Sequence, residues 1–219
     1  MNNILSLFHG YLGLLIEDKR LDRETIAGLT RIRDGANAAA RLMDRTKALA
    51  APSNAVWRQV PAEDFLRTLM PAFHLYTERG VQLHAECEPG LPDLWADTSR
   101  LRVALKEIVK NAYEASPAKG TVTISVKSHA RPVRTHGRRP ACRPTSWTAI
   151  NVTDSGKGIP AELTSKIFQP FFSTKNRHDS MGLGLSVALG LIQQLGGAIR
   201  VQSKPGKTTV KVLLPSRAV

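Results

Sequence analysis

The sequence predicts an α+β protein in two parts, an N-terminal two-helix hairpin followed by an α/β sandwich with a mixed sheet. Three observations carry that expectation. Apolar residues recur at three- and four-residue spacing through residues 3–50. Past residue 56, helical runs and β-branched runs are interspersed. Adjacent strand-like runs are joined by short turns, which a mixed sheet accommodates.

In the first part, Ile4, Leu7, Leu12 and Leu15 share one broad apolar face, and the polar turn Glu17-Asp18-Lys19-Arg20 follows. A second run carries Ile26, Leu29, Ile32, Ala36, Ala39, Leu42, Met43 and Leu49, with Asp22 placed to cap it and Glu24 in its first turn. Two amphipathic helices alone cannot bury both stripes. A dimeric four-helix bundle is the simplest solution, and packing against the rest of the same chain is the alternative. Ala50-Ala51-Pro52-Ser53-Asn54 reads as a linker, which gives domains 1–51 and 56–219. In the second domain Ala62 to Arg79 is expected helical, Val81 to Glu86 a strand and Thr98 to Ala115 a strong helix. Val122 to Lys127 and Thr148 to Thr153 are expected strands, and Leu183 to Leu195 a helix. Ile199 to Gln202 and Thr208 to Leu214 form a hairpin around Lys204-Pro205-Gly206-Lys207.

Composition narrows the class. With 42% hydrophobic and 22% charged residues, the 219-residue chain is too apolar for wholesale disorder. The longest apolar stretch, Ile4 to Ile16, is broken by Ser6, His9 and two glycines; it is too short to span a bilayer and lacks the basic start of a signal peptide. No membrane contact is expected. Two cysteines, Cys87 and Cys142, make no disulfide framework or zinc cluster, which fits a reducing cytoplasm. The 31 basic and 18 acidic residues leave a net charge of +13. Much of it lies in one stretch, Lys127, Arg131, Arg134, Arg138, Arg139 and Arg143, which holds no acid. Pro132, Gly137 and Pro140 make that stretch a loop, not a helical DNA reader, and it has no interleaved aromatics for stacking. Specific nucleic-acid binding is therefore not expected.

Three groups of residues carry candidate chemistry. On the helix from Leu101 to Ala115, Leu101, Leu105, Ile108 and Ala112 form the core stripe, and Glu107, Asn111 and Glu114 a second stripe. A carboxylate and an amide oxygen one turn apart suit activation of a nucleophile or coordination of Mg²⁺, although a solvated polar face has the same pattern. Asp154-Ser155-Gly156-Lys157-Gly158 follows a strand: a carboxylate there can accept from an exocyclic amine, and the glycines permit close backbone approach or simply a turn. Gly182-Leu183-Gly184-Leu185-Ser186 opens a helix whose free amides suit an anion. Phe168, Phe171 and Phe172 read most simply as core, and Lys175 to Ser180 as a short polar lid.

Taken in order, Glu107-x-x-x-Asn111-Ala112, Asp154-x-Gly156-x-Gly158, the Phe168–Phe172 segment and Gly182-x-Gly184-Leu185 resemble the N, G1, F and G2 boxes of the ATP-binding fold shared by gyrase, Hsp90, histidine kinases and MutL (GHKL). The F box and the preceding helical pair resemble sensor histidine kinases of two-component systems. Met1-Asn2-Asn3-Ile4-Leu5 is similar to the end of their phosphoacceptor box, His-Glu/Asp-x-Asn-Asn.

The resemblance implies a GHKL-type sandwich, ATP and Mg²⁺ as cofactors, and transfer of the γ-phosphoryl group to a histidine. It assigns Asn111 to Mg²⁺ and Glu107 to the catalytic position. Asp154 would take the adenine amino group, with Gly156 and Gly158 shaping that wall, and the backbone at Gly182 and Gly184 would meet the phosphates, assisted by Lys175 and Arg177. It implies a homodimer through the N-terminal helices and a response regulator receiver domain as partner. Ser180 stands where the lid often has glycine, and Gly206-Lys207-Thr208-Thr209 replaces a more usual Gly-x-Gly-Thr turn. If Met1 fills the variable place of the acceptor box, the acceptor His lies two residues upstream of Met1, so self-phosphorylation at the usual site is not expected. His9, followed by Gly10 instead of a carboxylate, is not expected to substitute. The competing reading is a non-catalytic nucleotide-binding dimeric scaffold or regulator of another kinase.

Overall fold

The computed structural model describes residues 10–18, 21–33, 35–36, 56–73, 80–130, 133, 146–174 and 182–217. The chain divides into two compact units, Met1–Ala51 and Pro52–Val219. In the first, residues 10–16 and 23–33 are helical. Asp22 caps the second run: its carboxylate accepts the Thr25 amide at 2.7 Å and the Thr25 hydroxyl at 3.1 Å, satisfying an orphan N–H of the first turn. The backbone bond from Thr25 holds the Asp22 carboxyl below its ordinary pKa. Among the described residues of this unit Leu12 is buried, whereas Tyr11, Leu14, Leu15 and Ile32 remain between 45% and 70% exposed.

Among the described residues, the second unit holds a seven-stranded mixed sheet and three α-helices. Its elements are β1 (Arg58–Val60), α1 (Ala62–Leu69), β2 (Gln82–Cys87), β3 (Asp93–Ala96), α2 (Thr98–Ala115), β4 (Thr121–His129), β5 (Ser146–Asp154), α3 (Gly184–Gln194), β6 (Ala198–Lys204) and β7 (Lys207–Arg217). The strand order is β1-β3-β7-β5-β4-β2, with β6 also on β7. Among the described residues only β2 and β4 pair parallel, because β3 and α2 intervene between them. β6 and β7 turn through Pro205-Gly206, where Gly206 takes φ +80°, a conformation that glycine adopts without a Cβ penalty.

Register decides what the sheet buries. Ile124 faces Val152 and Val152 faces Val210; Val126 faces Ile150 and Ile150 faces Val212; all six are buried. On the opposite face, Trp147, Ala149 and Leu213 pack with Val133 and Ala198 in a second apolar cluster. The α2 stripe behaves as its periodicity requires: Leu101, Leu105, Ile108 and Ala112 are all buried. Asp97 caps α2 by accepting the Ser99 amide at 3.0 Å and the Arg100 amide at 3.2 Å. Arg102 ties α1 to α2, donating to the Thr68 carbonyl at 2.7 Å with its guanidinium 6.0 Å from the Phe65 ring centroid.

Two expectations are corrected. The helix expected over Ala62 to Arg79 ends at Leu69 and tightens into a 3₁₀ turn at residues 70–73. Pro71 has no N–H to continue the i to i−4 ladder; residues 74–79 lie outside the described set. The Phe168, Phe171 and Phe172 segment is not core. None of the three is buried, and Phe171 is 72% exposed at φ +65°, because the chain reverses there instead of entering the sheet.

Thr148 supplies a test of the core. It is fully buried on the same face as Ile150 and Val152, and among the described residues its hydroxyl has no hydrogen-bond partner. Thr148→Val should therefore stabilise the fold by about 1 kcal/mol. Equilibrium urea unfolding measures this, and a loss of stability would show that the hydroxyl is satisfied in solution.

Candidate functional site

Three elements converge on a cleft of about 980 Å³ lined by α2, the segment after β5 and the start of α3. Asp154 ends β5, opposite Val122 on one side and Thr208 on the other. It is 5% exposed, and its Oδ1 accepts the Gly156 amide at 2.9 Å. Burial raises its pKa above the ordinary carboxylate value, and the Gly156 bond offsets part of that rise.

The glycines mark where walls of the cleft touch. A Cβ on Gly156 would lie 2.6 Å from the Ala115 carbonyl oxygen and 2.7 Å from Asp154 Oδ1, so a side chain is excluded where β5 meets the end of α2. Gly158, at φ +86°, sits against the Lys204 carbonyl, where a Cβ would come within 2.6 Å. This binds the loop after β5 to the β6–β7 turn. A hydroxyl chain reinforces the join: the Ile159 amide donates to Ser203 Oγ at 2.7 Å, and Ser203 Oγ lies 2.8 Å from Thr208 Oγ1.

Across the cleft, α3 starts at Gly184 with no side-chain cap on its N-terminus. A Cβ on Gly184 would meet Glu107 Oε2 at 2.7 Å and Asn111 Nδ2 at 3.3 Å, which places both α2 side chains directly against the amide-rich end of α3. Gly182, at φ +64°, packs on the Phe171–Phe172 peptide, with Phe172 O 2.5 Å from where its Cβ would be. The cleft thus gathers Asn111, Asp154, Gly158, Gly182 and Gly184 along its lining, with Gly156 behind Asp154 and Glu107 beside Gly184. Lys175 and Arg177 lie outside the described residues. Glu114, the third polar residue of the α2 stripe, also lines the cleft and pairs with Lys110 at 3.7 Å.

Sequence reasoning did not single out Thr208, Ser203, Ile159 or Ile108 as site residues, yet all four line the cleft. For Thr208 and Ser203 the signal was available only through strand register, since Thr208 faces Asp154 on β5 and Ser203 on β6. Ile108 was read as part of the core stripe of α2, and Ile159 directly follows the Asp154–Gly158 segment.

Chemically, the cleft offers a buried carboxylate at one end and an uncapped helix N-terminus at the other, with an amide and a carboxylate side chain beside that terminus. The first accepts from an amine, the second holds an anion. Oxygen ligands from Asn111 and Glu107, next to a place where phosphate oxygens would supply the remainder, fit Mg²⁺, which takes few protein ligands. Among the described residues no group of three His, Cys, Asp or Glu could hold a metal by itself.

The two close approaches predict different failures. Gly158→Ala must move backbone and take a strained φ, so it should destabilise the fold by about 1 kcal/mol or more. Gly184→Ala meets side-chain ends, Glu107 Oε2 and Asn111 Nδ2, and no backbone, so it should melt within a few degrees of wild type while displacing Glu107 and Asn111. Parallel thermal melts test the contrast, and a larger loss for Gly184→Ala would contradict the placement of Glu107.

Comparison with known proteins gives the same picture. Residues 96–218 match the family described as histidine kinase-, DNA gyrase B-, and HSP90-like ATPase. The chain is 29% identical over 217 residues to the sensor kinase CckA of Brucella abortus (strain 2308), covering 98% of this chain and 23% of that protein. It therefore spans about a quarter of that relative's length. The fold is similar to that of full-length ShkA, crystallised in complex with AMPPNP, with TM-score 0.72 and 22% identity over 100% of this chain and 45% of ShkA. It is also similar to the histidine kinase ThkA, crystallised with the response regulator protein TrrA, with TM-score 0.62 and 22% identity over 98% of this chain and 58% of ThkA.

Proposed function

The chain belongs to the histidine kinase-, DNA gyrase B-, and HSP90-like ATPase family, and from that premise we propose that it is a sensor histidine kinase core that binds Mg-ATP and transfers the γ-phosphoryl group to a histidine. The observation that carries this is the placement of Glu107 and Asn111 against the first residue of α3, across one cleft from buried Asp154.

Each residue has a task set by its surroundings. Asp154 accepts a hydrogen bond from the adenine amino group, with Gly156 fixing its orientation from behind. The amides that open α3 at Gly184, free of side chains, receive phosphate oxygens along the helix dipole. Asn111 holds Mg²⁺, which supplies neutralisation of charge on the β- and γ-phosphate oxygens. Glu107 orients the attacking imidazole and takes its proton. Lys175 adds positive charge from the segment between the F and G2 boxes.

The exposed Tyr11, Leu14, Leu15 and Ile32 support a homodimer through the N-terminal helices, since a second copy would cover them. The same helical unit is the proposed docking place for a receiver domain, in keeping with ThkA being found with a response regulator. No helix among the described residues is long and apolar enough to cross a membrane; together with the sparse cysteines this supports a cytoplasmic location for this part.

Incubation with Mg-ATP and a supplied helix carrying a His-Glu phosphoacceptor pair should leave acid-labile, base-stable phosphate on that histidine. Label on His9 would overturn the acceptor-box alignment, and nucleotide binding without transfer to any supplied histidine would favour a regulatory scaffold.

Asp154 gives a second test with a worked sign. Its raised pKa means that the folded chain binds this proton more tightly than the unfolded one, so stability falls as pH rises from the ordinary carboxylate value through the raised one. Above both, the desolvated charge remains a cost. Asp154→Asn removes the charge yet keeps an oxygen for the Gly156 amide. Its Tm at pH 7 should equal or exceed that of wild type, while ATP affinity falls at least about tenfold. Calorimetric titration and melting would contradict this if stability fell or affinity held.

A further inference from the structure

The cap of α2 does more than satisfy a helix end. Asp97, 7% exposed, uses Oδ1 for the Ser99 and Arg100 amides, whereas Oδ2 accepts the Val56 amide at 3.2 Å and lies 3.5 Å from Arg100 Nε. Val56 is in the segment by which the chain enters the second unit, just before β1. Arg100 continues the network, donating from Nη1 to Gln194 Oε1 at 2.9 Å, at the last residue of α3. One carboxylate therefore joins three things: the entering segment, the N-terminal end of α2 and the C-terminal end of α3.

Those are the far ends of the two helices that make the phosphate side of the cleft. Glu107 and Asn111 lie about 15–20 Å along α2 from Asp97, at a rise of 1.5 Å per residue, and Gly184 is at the opposite end of α3 from Gln194. Because α2 and α3 run antiparallel and pack along their lengths, displacement at one end of the pair changes how Glu107 and Asn111 meet Gly184 at the other. We propose that Asp97 is a positioning residue for the nucleotide site, clamping the entering chain to the far ends of α2 and α3 so that the position of Val56 sets the Asn111–Gly184 geometry. This rests on the ATP-site reading above and adds to it the device that connects the site to the preceding segment. Adenine recognition by Asp154, which lies on β5, is outside the clamp.

Two substitutions isolate the clamp from the cap. Asparagine caps helices as well as aspartate does, so Asp97→Asn keeps Oδ1 for Ser99 and Arg100 but presents an NH₂ where Oδ2 met Val56 and Arg100. Val56→Pro removes the N–H and leaves Asp97 untouched. The full chain is titrated calorimetrically with ADP in EDTA and again in Mg²⁺, and the ratio of affinities is the readout. Both variants should bind ADP in EDTA within twofold of wild type, and the Mg²⁺-dependent gain should fall about fivefold, the lower range of coupling between sites. The double variant should lose no more than Asp97→Asn alone, since that substitution already breaks the Val56 bond along with the Arg100 contact. A wild-type gain in both variants, or losses that multiply in the double variant, would overturn the proposal. Should Asp97→Asn fail to fold, Val56→Pro decides alone by the same ratio. A wild-type chain that bound no ADP, or gained nothing from Mg²⁺, would instead overturn the cleft assignment, a result seen before any variant is made.

Discussion

The cleft depends on how closely α2 and α3 approach each other. Their contact is set at Gly184, the first residue of α3, where the Glu107 carboxylate oxygen occupies space that any Cβ would need. Core stripes on both helices hold this approach: Leu101, Leu105, Ile108 and Ala112 on α2, and Val187, Ala188, Leu191 and Ile192 on α3, are buried together over the sheet. Burial of that many aliphatic side chains, at roughly 1.5–3 kcal/mol each, dwarfs any polar contact in the cleft. Apolar packing therefore fixes the helix positions, and the polar residues take up geometry they could not enforce alone. The half-buried Lys110–Glu114 pair, at 3.7 Å and still open to solvent, by contrast contributes little.

Legibility in the sequence followed the range of the interactions responsible. The helix read over Thr98 to Ala115 has those bounds in the structure, because its stripe and its cap are local. The central strands were read from β-branched content, though each is longer than its apolar middle. β1 and β3 were not read, being three and four residues long and existing only by pairing with each other and, for β3, with the end of β7. The phenylalanine segment was misread for a related reason. Hydrophobicity suggested burial, but Phe171 sits at a left-handed reversal that packs on Gly182, a residue eleven positions later. Motif order pointed to Asn111, Asp154 and the glycines, which line or adjoin one cleft, whereas Thr208 and Ser203 entered it through strand register, which spacing along the chain does not encode.

The basic loop that follows β4 has a partial structural context. Val133, within it, packs on the Trp147, Ala149 and Leu213 cluster on the sheet face opposite Ile150 and Val152. A stretch rich in arginine and proline is thus given a hydrophobic foothold at Val133. That foothold lies on the face of the sheet turned away from Asp154.

In the proposed role of Asp154 as acceptor for the adenine amino group, its buried carboxylate has a consequence for which nucleobase the cleft tolerates. A carboxylate carries only acceptor lone pairs, and this one is largely removed from water. Adenine presents an N–H donor at its six position, whereas guanine presents a carbonyl oxygen there. Guanine would set lone pair against lone pair in a place where solvent cannot intervene, and its carbonyl would lose hydration without compensation. Selectivity between the two purines therefore needs no steric gate in this fold: the hydrogen-bonding polarity of a single exocyclic group is enough.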